Sequence, residues 1–151
     1  MSILFKNCYL ATPGFEHEKM SVLVIDGKIK QIFAPGDTLP AADKIKDCGD
    51  AMLMPGFVDV HCHGRSGFDF CDATVEAIST IAKNKLTEGV TTLLPTTLTV
   101  SEEQLTAALQ SAADYIRTPE SLKGCKIPGV HLEGPYINTK LIGAQNPAFV
   151  R

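Results

Sequence analysis

The fold of this chain is decided by ten residues, Pro55-Gly56-Phe57-Val58-Asp59-Val60-His61-Cys62-His63-Gly64. An apolar, β-like run ends there in two histidines that are separated by one residue. Side chains at positions i and i+2 of a strand lie on the same face, so His61 and His63 can bind one metal ion. Imidazole nitrogens bind zinc at roughly 2.0–2.1 Å. The stretch therefore predicts a metal centre at the carboxyl end of a strand.

The residues after this strand alternate between helix-like and strand-like segments. Apolar spacing predicts a helix over about 74–88, a short buried strand over 90–94 and a second helix from the capping sequence at Ser101 to about 118. A third strand is predicted over 129–133. This order is typical of βαβ units on a parallel sheet. Three such units, at roughly 30 residues each, match the unit length of an eight-unit (β/α)8 barrel, which needs about 250 residues. The chain is therefore expected to be either an open sheet that ends early or the N-terminal part of a longer barrel.

Residues 1–54 are β-rich and helix-poor by the same criteria. The apolar run 22–25 and the alternating run 28–32 flank Asp26-Gly27, which is a strong signal for a two-residue hairpin turn. This half carries no group of candidate catalytic residues. His17 stands alone in a charged stretch and is predicted to be a solvated surface residue. The sequence thus predicts an α/β protein with a β-rich part, residues 1–54, and a βα part, residues 55–151.

Composition narrows the class of partner and the compartment. The 151 residues carry a formal charge of −3 and no run of Lys or Arg, so neither nucleic acid nor an anionic membrane is an expected partner. No signal peptide and no bilayer-length apolar run is recognised, which favours the cytoplasm. The five cysteines are odd in number and lack a Cys-x-x-Cys pair, so reduced and mostly buried thiols are expected.

His131 and Glu133 end the third predicted strand. In a parallel barrel, active-site side chains lie at the carboxyl ends of the strands, so these residues are expected near His61 and His63. Glu133 is the predicted carboxylate ligand, because two imidazoles and a carboxylate suit a metal such as zinc and leave a position for water. His131 is favoured as a group that orients a ligand. Asp59 is expected on the face of the two histidines, either to orient an imidazole or to accept from backbone amides. Such a centre supports amide or ester hydrolysis.

These motifs resemble the amidohydrolase superfamily, whose members carry His-x-His at the end of the first barrel strand. The residues His131-Leu132-Glu133-Gly134-Pro135-Tyr136 and the segment 143–151 narrow the resemblance to the N-acetylglucosamine-6-phosphate deacetylase family. The resemblance covers essentially the whole chain. It implies a metal-dependent (β/α)8 barrel with a small β-sandwich built from both chain ends. Residues 1–54 would then belong to the sandwich and residues 55–151 would supply about three strands of an incomplete barrel.

The resemblance also implies the roles of individual residues. Glu133 would bind the catalytic metal, and the general base would lie beyond residue 151. The segment with Ala144 and Gln145 would contact the amino sugar, Ala144 through its backbone. Many relatives have histidine at the position of Gln145, and glutamine cannot act as an acid or carry a positive charge. The implied cofactor is one or two divalent metal ions, with zinc favoured and with His61 and His63 as capable ligands.

The implied reaction is the deacetylation of N-acetylglucosamine 6-phosphate, an amino-sugar phosphate, by a full-length homo-oligomer. These 151 residues alone would be an N-terminal portion without activity. Two alternatives stay open. The enzyme could act on another N-acyl amino sugar or a cyclic amide, or the chain could be a non-catalytic metal-binding fragment, since an incomplete barrel leaves an unpaired strand edge. Arg65 and Arg151 are weak candidates for binding the phosphate.

Overall fold

The computed structural model describes residues 1–12 and 18–151, which divide into the units Met1–Pro55 and Gly56–Arg151. His17, the predicted surface residue, lies outside the described residues. The predicted α/β class is confirmed, because the first unit is built from strands and the second alternates strands with helices. Neither helix among the described residues is long and apolar enough to cross a bilayer.

The first unit is one mixed sheet in the residues that the structure describes. Its strands are β1 (Ser2–Leu10), β2 (Lys19–Ile25), β3 (Lys28–Phe33), β4 (Lys44–Asp47) and β5 (Met52–Leu53). The order is β3-β2-β1-β4, with β5 also pairing with β1; β2 is antiparallel to β1 and β3, whereas β4 and β5 are parallel to β1. Val22 and Leu23 are neighbours on β2 but belong to different apolar clusters, so both faces of the sheet are partly covered.

The turn between β2 and β3 confirms the hairpin prediction. Asp26 and Gly27 have φ values of 50° and 76°. A two-residue type I′ turn requires positive φ at both central positions, and Asp-Gly meets this requirement at low cost. The turn therefore fixes the register in which β3 pairs with β2.

The second unit contains the strand that carries the histidines. Its elements are β6 (Phe57–Cys62), β7 (Gly64–Arg65), β8 (Phe68–Asp69), α1 (Val75–Leu86), β9 (Val90–Pro95) and α2 (Glu102–Ile116). β6 and β9 pair in parallel, as a βαβ unit requires, and β7 and β8 form a small antiparallel ribbon. The core residues, which come mostly from α1, α2 and β9, are Phe70, Ile78, Ile81, Ala82, Leu93, Ala108, Ala112, Tyr115, Cys125 and Ile127.

Both helices begin at capped residues close to the predicted positions. The hydroxyl of Thr74 accepts from the N–H of Ala77 at 3.1 Å, and the hydroxyl of Ser101 accepts from the N–H of Gln104 at 3.2 Å. These bonds satisfy N–H groups that a helix cannot satisfy itself. The helix predictions over 74–88 and from Ser101 to about 118 are therefore confirmed, with one or two residues fewer at the ends.

The predicted third strand, 129–133, differs from the structure. Instead of a strand, the chain over 126–133 forms two isolated parallel bridges with the β9 region, one between Thr92 and Lys126 and one between Thr96 and His131. Pro95 and Pro128 lie between the two bridges, and neither has an N–H to continue the ladder. The segment nevertheless runs beside β9 and brings His131 to its end, where the N–H of His131 donates to the Pro95 carbonyl at 3.0 Å.

The cysteines agree with the expectation of free, mostly buried thiols. Cys8, Cys71 and Cys125 are buried, and Cys48 and Cys62 are half-buried. Burial, together with the neighbouring thiol of Cys48, raises the pKa of Cys8 to about 12. The thiol of Cys8 is therefore protonated at neutral pH.

Candidate metal centre

Three predicted ligands converge in the second unit. Oε2 of Glu133 lies 3.3 Å from Nε2 of His61 and 3.1 Å from Nε2 of His63, and the two Nε2 atoms are 3.3 Å apart. Ligand atoms about 2.0–2.1 Å from a zinc ion at tetrahedral angles would lie about 3.3–3.4 Å from one another. The three atoms are therefore spaced like three corners of a zinc coordination tetrahedron, and the fourth corner stays free.

The protonation state of His63 also fits a cation. Nδ1 of His63 lies 3.2 Å from the carbonyl oxygen of Thr96, which can only accept, so Nδ1 carries the proton. In the neutral ring Nε2 then presents a lone pair toward the Glu133 carboxylate. Oε2 of Glu133 is buried and has no hydrogen-bond donor among the described residues. Two acceptors that face each other in this way repel unless a metal ion or a proton lies between them.

The three ligand side chains are partly open to solvent. His61, His63 and Glu133 expose 47%, 31% and 30% of their side-chain surfaces, respectively. A small molecule can therefore reach a cation held there. This combination of a free coordination position and an accessible centre is typical of catalytic rather than structural zinc sites.

Asp59 binds a buried lysine and a backbone amide rather than an imidazole. Its Oδ2 lies 3.0 Å from Nζ of Lys85 on α1, and its Oδ1 accepts from the N–H of His61 at 3.1 Å. The structure therefore differs from the prediction that Asp59 lies on the same face as the two histidines. The physical reason is an irregularity in the pairing of β6 between Asp59 and Cys62, which breaks the strict alternation of side chains.

Lys85 is the cation of a small ion-pair network beside β6. Only 10% of its side chain is exposed, and Nζ lies 2.7 Å from Glu88 as well as 3.0 Å from Asp59. Glu88 first and Asp59 second raise the pKa of Lys85 above its ordinary value, although burial alone would lower it. The ammonium therefore remains charged and links α1 to the strand that carries the histidines.

His131 crosses from the segment beside β9 to β6. Its Nδ1 lies 2.7 Å from the carbonyl oxygen of Val60 and therefore donates to it. Its ring packs edge-on against His61, with centroids 4.8 Å apart and planes at 88°. His131 lies outside the group of three converging ligand atoms. It contacts the ring of one ligand, His61, and the backbone carbonyl of Val60, the residue before that ligand.

Two residues of the site were missed by sequence reasoning, which treated 90–94 as a strand closed by Pro95. The hydroxyl of Thr96 accepts from the N–H of Cys62 at 2.9 Å, and the hydroxyl of Thr97 accepts from the N–H of Glu133 at 3.1 Å. Both threonines are fully buried. The available signal was their position, since two hydroxyl side chains directly follow a strand end where barrel sites form.

The structure places the predicted sugar-contacting residues in a turn near the end of the chain. Oε1 of Gln145, which is half-buried, accepts from the N–H of Thr99 at 2.7 Å, and Ala144 is exposed. No hydrogen bond joins Ala144 or Gln145 to the three ligands in the described part of the chain. The bond to Thr99 attaches this turn to the segment that follows β9.

Comparisons with known proteins agree with the family that the motifs suggested. No protein-family model matches the chain. The chain is 32% identical to N-acetylglucosamine-6-phosphate deacetylase of Bacillus subtilis (strain 168), over 99% of the chain and 38% of the relative. It is 36% identical to the enzyme of that name from Mus musculus, over 73% of the chain and 27% of the relative. The predicted resemblance is therefore confirmed.

Solved structures give the same result. The crystal structure of N-acetylglucosamine-6-phosphate deacetylase from Pasteurella multocida matches with a TM-score of 0.86 and 26% identity, over 100% of this chain and 39% of that one. The enzyme of that name from Thermotoga maritima matches with a TM-score of 0.76 and 31% identity, over 98% and 36%. The chain thus spans about two fifths of the length of these proteins.

Proposed function

We propose that this chain forms the metal-binding first part of an enzyme that hydrolyses N-acetylglucosamine 6-phosphate to glucosamine 6-phosphate and acetate. The observation that carries the proposal is the convergence of Nε2 of His61, Nε2 of His63 and Oε2 of Glu133. Similarity along the whole chain to proteins named N-acetylglucosamine-6-phosphate deacetylase supports the choice of substrate. Because the chain spans about two fifths of their length, the reaction is proposed for the whole protein.

The proposed architecture is the start of a (β/α)8 barrel. β6, β9 and the segment that reaches Glu133 would be its first three strands, and the sheet of the first unit would belong to a small β-sandwich. The strand–helix–strand–helix order supports this arrangement. So does the position of the three ligands, which lie at or just after the carboxyl ends of parallel segments, as in barrel active sites.

The proposed cofactor is a divalent metal, with zinc favoured and with one or two ions per protein. His61, His63 and Glu133 would hold it. When bound, such a metal lowers the pKa of water and polarises an amide carbonyl. The contact of His63 with the Thr96 carbonyl keeps the proton on Nδ1, so that Nε2 remains the ligand atom. His131 would orient the ring of His61 through their edge-on contact, and Asp59 would hold its backbone.

The proposed substrate contacts come from the turn with Ala144 and Gln145. Oε1 of Gln145 is already engaged, so its NH2 group is the part that would donate to the sugar, beside the backbone of Ala144. Arg65 and Arg151 remain weak candidates for the phosphate, because each guanidinium already pairs with a carboxylate, that of Glu88 and Glu102, respectively. The general base is proposed to come from residues beyond 151.

The proposed setting is the cytoplasm, where the whole protein would act as a homo-oligomer. The proposed partner is a small molecule, and neither nucleic acid nor a membrane is expected to bind. The net charge of −3 and the lack of a basic run in the sequence support this choice.

The proposal is tested on the whole protein expressed from its complete gene. Glu133→Ala should lose bound metal and acetate release together, because a ligand and a buried charge disappear. Metal content is measured by mass spectrometry and acetate by an enzymatic assay. The control is Glu120→Ala, which removes a half-buried glutamate that pairs with Lys83 and Lys123, away from the three ligands, and should retain both properties.

Unchanged metal content in Glu133→Ala would contradict the ligand role. Metal binding by the wild-type protein without acetate release would favour the non-catalytic alternative. Equal rates with the phosphorylated and unphosphorylated sugar would contradict the proposed substrate.

A further inference from the structure

The four residues after β9, Thr96 to Thr99, lie between the two segments that carry the candidate ligands. The N–H of Thr96 donates to the carbonyl of Cys62 at 2.9 Å, and the N–H of Thr97 donates to the carbonyl of His131 at 3.0 Å. The backbone amides of two consecutive residues thus bind two different segments, the one that carries the histidine pair and the one that carries Glu133. The hydroxyl groups of Thr96 and Thr97 bind the same two segments in the same order.

Thr96 is attached to the segment with the histidines at three points. Besides its N–H bond, its hydroxyl accepts from the N–H of Cys62, the residue between His61 and His63. Its carbonyl accepts from Nδ1 of His63. The hydroxyl proton has its own acceptor in the Leu94 carbonyl at 3.2 Å. A valine of the same shape would leave the Cys62 N–H without its partner.

Thr97 is attached to the segment with the carboxylate. Its hydroxyl accepts from the N–H of Glu133 at 3.1 Å and lies 3.4 Å from the Glu133 carbonyl oxygen, to which it can donate. The side chain is fully buried, where a hydroxyl without partners would be costly. The hydroxyl therefore holds the backbone of the one carboxylate ligand in place.

We propose that Thr96 and Thr97 are positioning residues that set the separation between the imidazole pair and the Glu133 carboxylate. Thr96 fixes the imidazole side and Thr97 fixes the carboxylate side. The inference rests on the metal centre of the proposed function. Outer partners of this kind alter metal affinity by about 10-fold to 100-fold in other metal sites, because a ligand that moves by a fraction of an ångström coordinates poorly.

Three valine variants of the whole protein test the proposal. Thr96→Val and Thr97→Val remove the two hydroxyls that bind ligand-bearing backbone. Thr99→Val is the matched control, because the Thr99 hydroxyl is also buried but has no hydrogen-bond partner among the described residues. Binding of Zn²⁺ is measured by competition titration, and binding of Co²⁺ by its visible absorption spectrum, which reports ligand geometry.

Thr96→Val and Thr97→Val should each weaken metal binding by about 10-fold or more and change the Co²⁺ spectrum. Thr99→Val should do neither. Thr96→Ser and Thr97→Ser, which keep the hydroxyl, should retain the affinity of the wild-type protein. A merely structural role would lower the melting temperature of the valine variants without this selective effect on metal.

Equal affinities of Thr96→Val, Thr97→Val and Thr99→Val, with a wild-type protein that binds metal, would overturn the inference. A wild-type protein that binds no metal would instead refute the metal centre of the proposed function. If the valine variants do not fold, alanine and serine at each position are compared. Equal metal affinity of the alanine and serine variants would then overturn the inference.

Discussion

Replacing Lys85 with methionine removes one ammonium from the network beside β6 and keeps the apolar stem. Glu88 retains Arg65 at 2.5 Å, but Asp59 loses its cation and keeps only the N–H of His61. Removing one partner of a buried pair costs about 3–5 kcal/mol. Asp59 exposes 24% of its side chain, so water recovers part of this cost, and we expect a loss of about 2 kcal/mol. In a domain of about 150–250 residues, a loss of this size lowers the melting temperature by about 4–8 °C.

The pH dependence of this effect follows from the direction of the Lys85 pKa. Its neighbours raise that pKa above 10.5, so the stability from Lys85 is fully present below pH 10.5 and is lost as pH rises through the folded-state pKa. The difference in melting temperature between wild type and Lys85→Met should therefore stay constant between about pH 6 and 9.

The assay is thermal unfolding followed by circular dichroism, with Lys83→Met as the control. Lys83 lies on the same helix and pairs with Glu120, but both side chains are more than a third exposed, so its loss should leave the melting temperature unchanged. Adding Asp59→Asn to Lys85→Met should restore most of the stability, because the orphaned charge disappears. Equal melting temperatures for Lys85→Met and Lys83→Met would refute the reasoning.

Two further predictions concern a glycine and a thiol. Gly134→Ala should destabilise the protein by about 1–2 kcal/mol or more, since Gly134 has a φ of 74° and a Cβ there would lie 2.0 Å from the Thr99 hydroxyl; an unchanged denaturation midpoint in urea would contradict this. Cys8 is fully buried and burial raises the pKa of its thiol, so iodoacetamide should modify it much more slowly in the native than in the unfolded protein. Peptide mass spectrometry measures both rates, and similar values would argue against this burial.

Local sequence signals were sufficient for much of the fold. The apolar run before His61 predicted β6, apolar spacing predicted α1, the capping sequence at Ser101 predicted the start of α2, and Asp26-Gly27 predicted the hairpin. Each of these features depends on residues that are close together in the sequence. The three candidate ligands were also found from sequence, because His61 and His63 lie two residues apart at the end of one strand-like run and Glu133 ends another.

The remaining features depend on how distant segments pair. The direction of Asp59 follows from an irregularity in β6 that exists only opposite β9, so strict alternation misplaced it. Lys85 falls within an ordinary amphipathic pattern, and only the position of Asp59 reveals that its ammonium is buried. The roles of Thr96 and Thr97 likewise require knowing which amides face them. Sequence periodicity predicts the helix or strand to which a residue belongs, but it does not predict which groups of neighbouring segments the side chain will contact.

Pro95 at the end of β9 and Pro128 on the neighbouring segment lie where the register between the two segments changes, and this change has a geometric consequence. Before the prolines, Thr92 pairs with Lys126. The same register would pair Thr96 with Val130, but Thr96 pairs with His131, which is one residue further along. A shift of one residue in a strand exchanges its two faces. An uninterrupted ladder would turn the carboxylate of Glu133 to the reverse side of the sheet, away from the imidazoles. The face of the sheet on which the metal site forms therefore depends on a one-residue change of register that coincides with Pro95 and Pro128.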